Sequence, residues 1–152
     1  MKFLNTLLFS LFTSLCFSQI NISQYDKLYK ENSKASVIYF YTDWCGICKI
    51  QEKQIYTNQA LKKQLDEEVY FLKINGEDEN NLTFLNNIFK TNSTQKLKAN
   101  HELVKTFFSP QEINYPLWVI LNKNQEIVGK YSGLIKSKNL TNIINQLNKE
   151  AK

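Results

Sequence analysis

The sequence predicts an α/β fold in which a mixed central β-sheet carries helices on both faces. A nearly continuous β-branched and aromatic run at residues 35–41 is typical of a strand buried on both faces. A helical pattern follows it and residues 69–74 resemble the first run, so strand, helix and strand predict a parallel pair with a right-handed crossover. Residues 117–121 and 126–131 flank a short turn, which predicts an antiparallel hairpin that makes the sheet mixed.

The other segments have helical spacing. A first helix is predicted at residues 22–29, with Asn21 or Ser23 as its cap, and a last helix starts at Ser137 or Lys138. Helices are also predicted from Cys45 through Ile55 and over residues 58–65. Residues 80–108 contain two further helical faces. The first face consists of Leu82, Leu85, Ile88 and Phe89. The second consists of Leu97, His101, Val104, Phe107 and Phe108.

The first 18 residues have the layout of a signal peptide. Met1 and Lys2 give a positive start, residues 3–17 are mostly apolar, and Ser18 precedes a polar stretch. We therefore predict cleavage near Ser18-Gln19, a single domain over residues 19–152, and an exported protein, periplasmic or secreted. The apolar run is too short and too interrupted for a membrane span, so no stable membrane insertion is expected after cleavage. An uncleaved N-terminal anchor is the alternative, and the large Leu15 before Cys16 disfavours a lipid anchor.

Composition and charge exclude some classes of function. The chain has 152 residues, 43% hydrophobic and 22% charged, which fits one globular domain. Its net charge is +5, but the lysines are scattered and no arginine occurs. Without clustered cations or the arginine fork that reads bases and clamps phosphate, we expect no nucleic-acid partner.

Two cysteines carry the predicted chemistry. Cys16 leaves with the signal peptide, so the mature chain keeps only Cys45 and Cys48. A single close pair is not a disulfide framework, and a bridge over so short a loop adds little stability. Cys45 falls at a helix N-terminus, where unpaired N–H groups and the helix dipole lower the pKa of a thiol. Cys48 lies one turn further on the same side, so Cys45 is the predicted nucleophile and Cys48 the resolving cysteine.

Metal and cofactor sites fit the pair less well. A structural zinc site needs four ligands, and the mature chain offers two cysteines and His101. Attachment of c-type haem needs a histidine where Lys49 stands. We therefore expect neither a metal nor a cofactor. A copper-carrying pair stays open as an alternative because thiolates suit Cu(I), and so does a purely structural disulfide.

The motif Trp44-Cys45-Gly46-Ile47-Cys48-Lys49 after a buried strand resembles the thioredoxin superfamily. The chain is also similar to the C-terminal thioredoxin-like domain of the bacterial transmembrane thiol reductase DsbD. The residues that carry this likeness are Tyr41-Thr42-Asp43-Trp44-Cys45, then Lys49, Glu52 and Lys53, and residues 56–61. The likeness covers most of residues 34–147 apart from the middle. It implies a thioredoxin fold and a thiol-disulfide oxidoreductase, and it favours reduction of protein disulfides over their formation. The expected partners are protein disulfide substrates and an external thiol electron donor, and we expect a monomer.

The resemblance also implies a cis-proline opposite the cysteines. Tyr115-Pro116 stands just before a predicted strand and matches it, with the backbone of Tyr115 available to a bound substrate strand. The alternative is an ordinary trans proline at a strand start.

The chain departs from the family pattern in two ways. Tyr39 stands where the family usually buries an acid, six positions before the first cysteine. Glu52, one turn beyond Cys48, is the candidate to tune the pair in its place, or else a solvated surface glutamate. Between the cysteine motif and Pro116 the chain is also longer than a minimal thioredoxin, which predicts an insertion within residues 80–108. This insertion is either a helical cap that selects partners or neutral decoration. His101 in this insertion is interpreted as a helix-surface or packing residue.

Overall fold

The computed structural model describes residues 20–91 and 99–149, so the predicted signal segment and Leu97 lie outside the described residues. The elements are α1 (Ile22–Glu31), β1 (Ser36–Tyr41), α2 (Gly46–Thr57), α3 (Gln59–Glu67), β2 (Tyr70–Asn75), β3 (Leu82–Phe84), β4 (Asn87–Phe89), α4 (Glu102–Phe107), a 3-10 turn (Pro110–Glu112), β5 (Leu117–Leu121), β6 (Ile127–Ser132) and α5 (Ser137–Lys149).

The main sheet has the strand order β2-β1-β5-β6. β1 pairs in parallel with β2 and antiparallel with β5, and β5 pairs antiparallel with β6. The predicted mixed sheet is confirmed. The two central strands are buried along nearly their whole length, so both faces of the sheet must be covered, and helices on both sides cover them.

Asparagine side chains set the starts of two helices. The Asn21 side-chain oxygen accepts a hydrogen bond from the Ser23 N–H at 3.0 Å, so Asn21 caps α1 and Ser23 lies inside the helix. The Asn58 side-chain oxygen accepts from the Leu61 N–H at 3.1 Å and starts α3 directly after α2.

The predicted helix at residues 82–89 is wrong, because this segment forms the hairpin of β3 and β4. Leu85 and Asn86 turn the chain with φ of 52° and 58°, values that no right-handed helix contains. The carboxylate of Asp26 in α1 accepts hydrogen bonds from the N–H groups of Leu85 and Asn86, at 2.9 and 2.8 Å, and so stabilises the turn. The first part of the insertion is therefore a hairpin where a helix was predicted.

Later in the insertion, residues 102–107 form the short helix α4. His101 caps this short helix, with Nδ1 accepting from the Leu103 N–H at 3.1 Å, and its Nε2 lies 3.0 Å from the Asn80 carbonyl oxygen. Its side chain is buried, so the packing interpretation of His101 is confirmed and the helix-surface one is wrong.

Over residues 20–91 and 99–149, the helices are all too short or too polar to cross a bilayer.

Candidate active site

The two cysteines lie at the turn that connects β1 to α2. Cys45 is the cap residue of α2, and its backbone N–H donates to the Thr42 carbonyl oxygen at 3.1 Å. Its Sγ accepts a hydrogen bond from the Cys48 N–H at 3.1 Å. A free N–H of the first helical turn is thus directed at the sulfur that the sequence predicts to carry the negative charge.

Cys45 and Cys48 form a disulfide with an Sγ–Sγ distance of 2.08 Å and a Cα–Cα distance of 5.2 Å. Both residues are buried, Cys45 at 4% exposed and Cys48 at 1%. Exposed apolar side chains stand beside them in the sequence, namely Trp44, Ile47 and Ile50, each about half exposed. The buried disulfide therefore has exposed apolar residues as its close neighbours along the chain.

Trp44 is held beside Cys45 by two contacts. Its indole N–H donates to the carboxylate of Glu77 at 3.0 and 3.1 Å, and its ring meets the Tyr115 ring edge-on with the centroids 6.3 Å apart. Glu77 was not predicted as a site residue, because this contact depends on the path of the loop after β2 and no motif marks it.

The Tyr115–Pro116 peptide bond is cis, directly before β5. The Tyr115 hydroxyl donates to the Asn100 side-chain oxygen at 2.7 Å, and burial raises the pKa of Tyr115 above its usual value. Its ring lies so close to Gly76 that a Cβ there would overlap the Tyr115 hydroxyl, so any larger residue at this position would have to displace the Tyr115 ring. Tyr115 is thus fixed between the loop after β2 and the inserted segment.

Tyr39 occupies the core beneath the disulfide. Its hydroxyl donates to the Cys48 carbonyl oxygen at 3.2 Å, and its ring packs on Trp118 with the centroids 4.6 Å apart. Burial, and after it the negative charge of Glu52, raise the pKa of Tyr39 far above its usual range. The hydroxyl therefore stays neutral and cannot take a proton from Cys48 near neutral pH.

Glu52 is paired and largely buried. Its carboxylate lies 2.8 Å from Lys73 Nζ, and the side chains of Glu52 and Lys73 are only 23% and 17% exposed. Burial lowers the pKa of Lys73, but the hydrogen bond to Glu52 and the charge of that carboxylate outweigh it, so the pKa of Lys73 is raised overall. The ammonium also lies over the Tyr41 ring, 4.5 Å from its centroid. The interpretation of Glu52 as a solvated surface glutamate is therefore wrong.

A second buried contact joins α2 to the loop after β6. Gln51 is fully buried, its side-chain N–H donates to the Ile135 carbonyl oxygen at 3.0 Å, and its side-chain oxygen accepts from the Ile135 N–H at 2.8 Å. Gln51 lies inside the helix that the sequence predicts from Cys45 through Ile55, and no role was predicted for it. The sequence did contain one indication of this contact: a single amide side chain on an otherwise buried helical face needs hydrogen-bond partners.

The described part of the chain contains no group of three or more histidine, cysteine or acidic side chains placed to hold a metal ion. A cleft of about 560 Å³ lies between the start of α1 and the loop before β3, and its lining includes Lys73 and Tyr41 but neither cysteine. The reactive pair therefore does not line this cleft.

Comparisons with known proteins agree with this geometry. The family model of the thioredoxin-like domain matches residues 23–148. No curated protein sequence matches the chain significantly.

Solved structures show the same fold. Chloroplastic thioredoxin z is 14% identical with a TM-score of 0.54, and the alignment covers 86% of this chain and 92% of that one. Deadhead, the germline-specific thioredoxin of Drosophila melanogaster, is 20% identical with a TM-score of 0.53, and the alignment covers 81% and 90%. The exposed lipoprotein thioredoxin of Streptococcus pneumoniae is 13% identical with a TM-score of 0.52, covering 78% and 89%. The predicted thioredoxin fold is confirmed.

Proposed function

The chain belongs to the thioredoxin-like domain family, and from that membership we propose that it is an exported thiol-disulfide oxidoreductase that reduces protein disulfides. The observation that carries the proposal is the Cys45–Cys48 disulfide at the N-terminus of α2, with the Cys48 N–H directed at the Cys45 sulfur. This arrangement favours the thiolate of Cys45, which is the nucleophile in disulfide exchange.

The reaction begins with the reduced pair. The Cys45 thiolate attacks one sulfur of the substrate disulfide, and the other substrate sulfur leaves as a thiolate that takes up a proton from water. Cys48 then loses its proton and attacks Cys45 Sγ, which releases the second substrate thiolate and forms the Cys45–Cys48 disulfide. Two electrons pass from the pair to the substrate. An external dithiol returns them and is itself oxidised to a disulfide.

Glu52 is the proposed proton acceptor for Cys48. Tyr39 is excluded from this role because its pKa is raised, and Glu52 lies one helical turn beyond Cys48 on α2. Its ion pair with Lys73 fixes the carboxylate in a mostly buried position. The transfer would run directly or through a water molecule.

The surroundings of the pair favour a polypeptide substrate. Trp44, Ile47 and Ile50 offer an exposed apolar surface beside a buried disulfide, which suits contact with a protein. The thioredoxin resemblance gives the backbone of Tyr115 a role in binding an extended substrate strand, and the contacts that fix its ring and hydroxyl support that role. We propose that the protein works as a monomer on protein disulfides.

Export remains part of the proposal. It rests on the predicted signal segment at residues 1–18, with cleavage near Ser18-Gln19 and a periplasmic or secreted product. An exported protein would meet substrate disulfides in an oxidising compartment, where they form and persist.

Insulin reduction driven by dithiothreitol tests the proposal, with Cys45→Ser and Cys48→Ser as variants. We expect the wild type to accelerate reduction, Cys45→Ser to lose the acceleration, and Cys48→Ser to accumulate a mixed disulfide with the substrate. A wild type that fails to accelerate reduction but binds Cu(I) tightly in an anaerobic titration would overturn the proposal and favour a copper carrier.

A further inference from the structure

The inserted segment contacts the surroundings of the cysteine pair through two consecutive residues. The Asn100 side-chain oxygen accepts a hydrogen bond from the Tyr115 hydroxyl at 2.7 Å. The backbone N–H of His101 donates to the Gly76 carbonyl oxygen, also at 2.7 Å. The start of α4 therefore binds both the residue before cis-Pro116 and the loop after β2.

His101 fixes the backbone at this point. Its side chain is buried, and its two ring nitrogens bond to the Asn80 carbonyl oxygen and to the Leu103 N–H, at 3.0 and 3.1 Å. With the backbone bond to Gly76, three hydrogen bonds hold this one residue. Asn100 directly precedes it, so the acceptor oxygen for Tyr115 is attached to a fixed piece of backbone.

Tyr115 connects Asn100 to the residue before the predicted nucleophile. The Tyr115 ring packs against Gly76, and its edge meets the Trp44 ring at an interplanar angle of 90°, with the centroids 6.3 Å apart. Trp44 directly precedes Cys45 and is 57% exposed. Tyr115 itself is only 8% exposed, so a hydroxyl that lost its acceptor would be a buried donor without a partner. The ring would have to move to reach water, and its contact with Trp44 would be lost.

The second contact of Trp44 depends on the same part of the insertion. Its indole N–H donates to the carboxylate of Glu77, which directly follows Gly76 in the loop bound by His101. The inserted segment thus supports Trp44 by two routes, one through Tyr115 and one through the loop after β2.

We propose that Asn100 is a positioning residue for protein substrates: its side-chain oxygen holds the Tyr115 ring against Trp44, so that the exposed Trp44 ring is oriented to contact a polypeptide next to the disulfide that Cys45 attacks. This inference rests on the proposed function and gives the inserted segment a part in substrate binding. Asn100 acts through Tyr115 and takes no part in electron or proton transfer. Its loss should therefore weaken binding of protein substrates and leave the chemistry of the cysteine pair unchanged.

The test compares Asn100→Leu, which removes the acceptor, with Asn100→Asp, which keeps an oxygen in its place. Asn142→Leu, at an exposed position of α5, is the control for the substitution itself. The readouts are KM and kcat for insulin, the rate with a small aromatic disulfide, and the reduction potential of the cysteine pair.

For Asn100→Leu we expect KM for insulin to rise about tenfold, on the scale of a misplaced substrate-positioning group, with the other readouts within about twofold. Asn100→Asp should keep KM within about twofold of the wild type, because a carboxylate also accepts the hydroxyl bond. Asn142→Leu should match the wild type. An unchanged KM in Asn100→Leu, an equal rise in Asn100→Asp, or equal losses with insulin and the small disulfide would overturn the proposal.

Tryptophan fluorescence tests the contact between Tyr115 and Trp44 separately. The chain has two tryptophans, and Trp118 is fully buried, so quenching by iodide reports on Trp44. In oxidised Asn100→Leu the quenching should increase, because the Tyr115 edge no longer covers the Trp44 ring. Quenching equal to that of the wild type would refute the positioning role.

A second variant keeps the test independent of any folding defect in Asn100→Leu. Tyr115→Phe removes the same hydrogen bond from the other partner and keeps the ring, and we expect it to raise KM for insulin by a similar factor. In the double variant the two effects should not multiply, because both remove one contact. Effects that multiply would refute the link between Asn100 and Tyr115. A wild type inactive toward both insulin and the small disulfide would instead refute the proposed function, and this inference with it.

Discussion

Replacing Tyr39 with phenylalanine removes one buried hydroxyl from the core beneath the disulfide and keeps the ring. The ring contacts with Trp118 and Phe71, at centroid distances of 4.6 and 6.4 Å, are retained. The lost contact is the hydrogen bond to the Cys48 carbonyl oxygen at 3.2 Å. That carbonyl lies within α2 and also accepts the helix's own N–H, so it keeps a partner. We therefore expect Tyr39→Phe to lower the free energy of unfolding by about 1 kcal/mol.

The same variant tests whether Tyr39 handles protons. The pKa of Tyr39 is raised by burial and by the charge of Glu52, so the hydroxyl is neutral in the wild type at every pH where exchange is measured. Tyr39→Phe should keep the wild-type pH profile of insulin reduction between about pH 6 and 9.

Urea unfolding of the oxidised protein gives the stability change, and initial rates across that pH range give the profile. A loss of more than about 3 kcal/mol would mean that the hydroxyl does more than the single bond in the structure indicates. A shifted pH profile would make Tyr39 part of the proton path and refute the reasoning.

Three further predictions concern the Asp26 carboxylate that stabilises the β3–β4 turn, the proton acceptor, and stability at alkaline pH. Asp26→Ala should lower the free energy of unfolding, measured in urea, by about 2 kcal/mol, and Asp26→Asn by roughly half of that, because the carboxylate accepts two hydrogen bonds at a partly exposed site. Variants as stable as the wild type would contradict this role of Asp26. Glu52→Gln should slow the Cys48 resolving step about tenfold and shift its pH profile, as followed by stopped-flow release of the mixed disulfide; unchanged rates and an unchanged profile would eliminate the tuning role. Burial raises the pKa of Tyr39 and of Tyr115 above the usual tyrosine value of about 10, so the unfolded chain ionises first and the stability that these groups contribute is present below about pH 10 and lost above it. Urea midpoints that stay level from pH 9 to about 11.5 would contradict this sign.

Local sequence patterns predicted the elements that carry the cysteines. β1 is a nearly continuous β-branched and aromatic run, the polar Thr42-Asp43 ends it, and the helical pattern of α2 follows, so the position of Cys45 at a helix start follows from neighbouring residues. Both features depend on short-range spacing, which one sequence displays directly.

The hairpin at residues 82–89 was mispredicted because its apolar spacing fits a helix as well as a strand. Leu82 and Phe84 are buried while Thr83 between them is exposed, which is the alternation of a strand. The deciding interaction is the Asp26 carboxylate, 59 residues from Leu85 along the chain. No local pattern contains that contact.

The site residues divide in the same way. Cys45 and Cys48 were identified from their own motif, whereas the bonds of Gln51 to Ile135 cross 84 positions and those of Trp44 to Glu77 cross 33. Such contacts exist only after the sheet and α2 have assembled. The sequence named Glu52 as a candidate, and its partner Lys73 came from β2 through the parallel pairing of β1 and β2.

The reduction potential of the Cys45–Cys48 pair, measured by equilibration in glutathione redox buffers, tests the central claim most directly. We predict a reducing value near that of thioredoxin, about −270 mV, with both thiols titrating together as a two-electron couple. A value near −120 mV, typical of a strong disulfide donor, or a pair that does not exchange with glutathione at all, would contradict the account of this protein as a disulfide reductase.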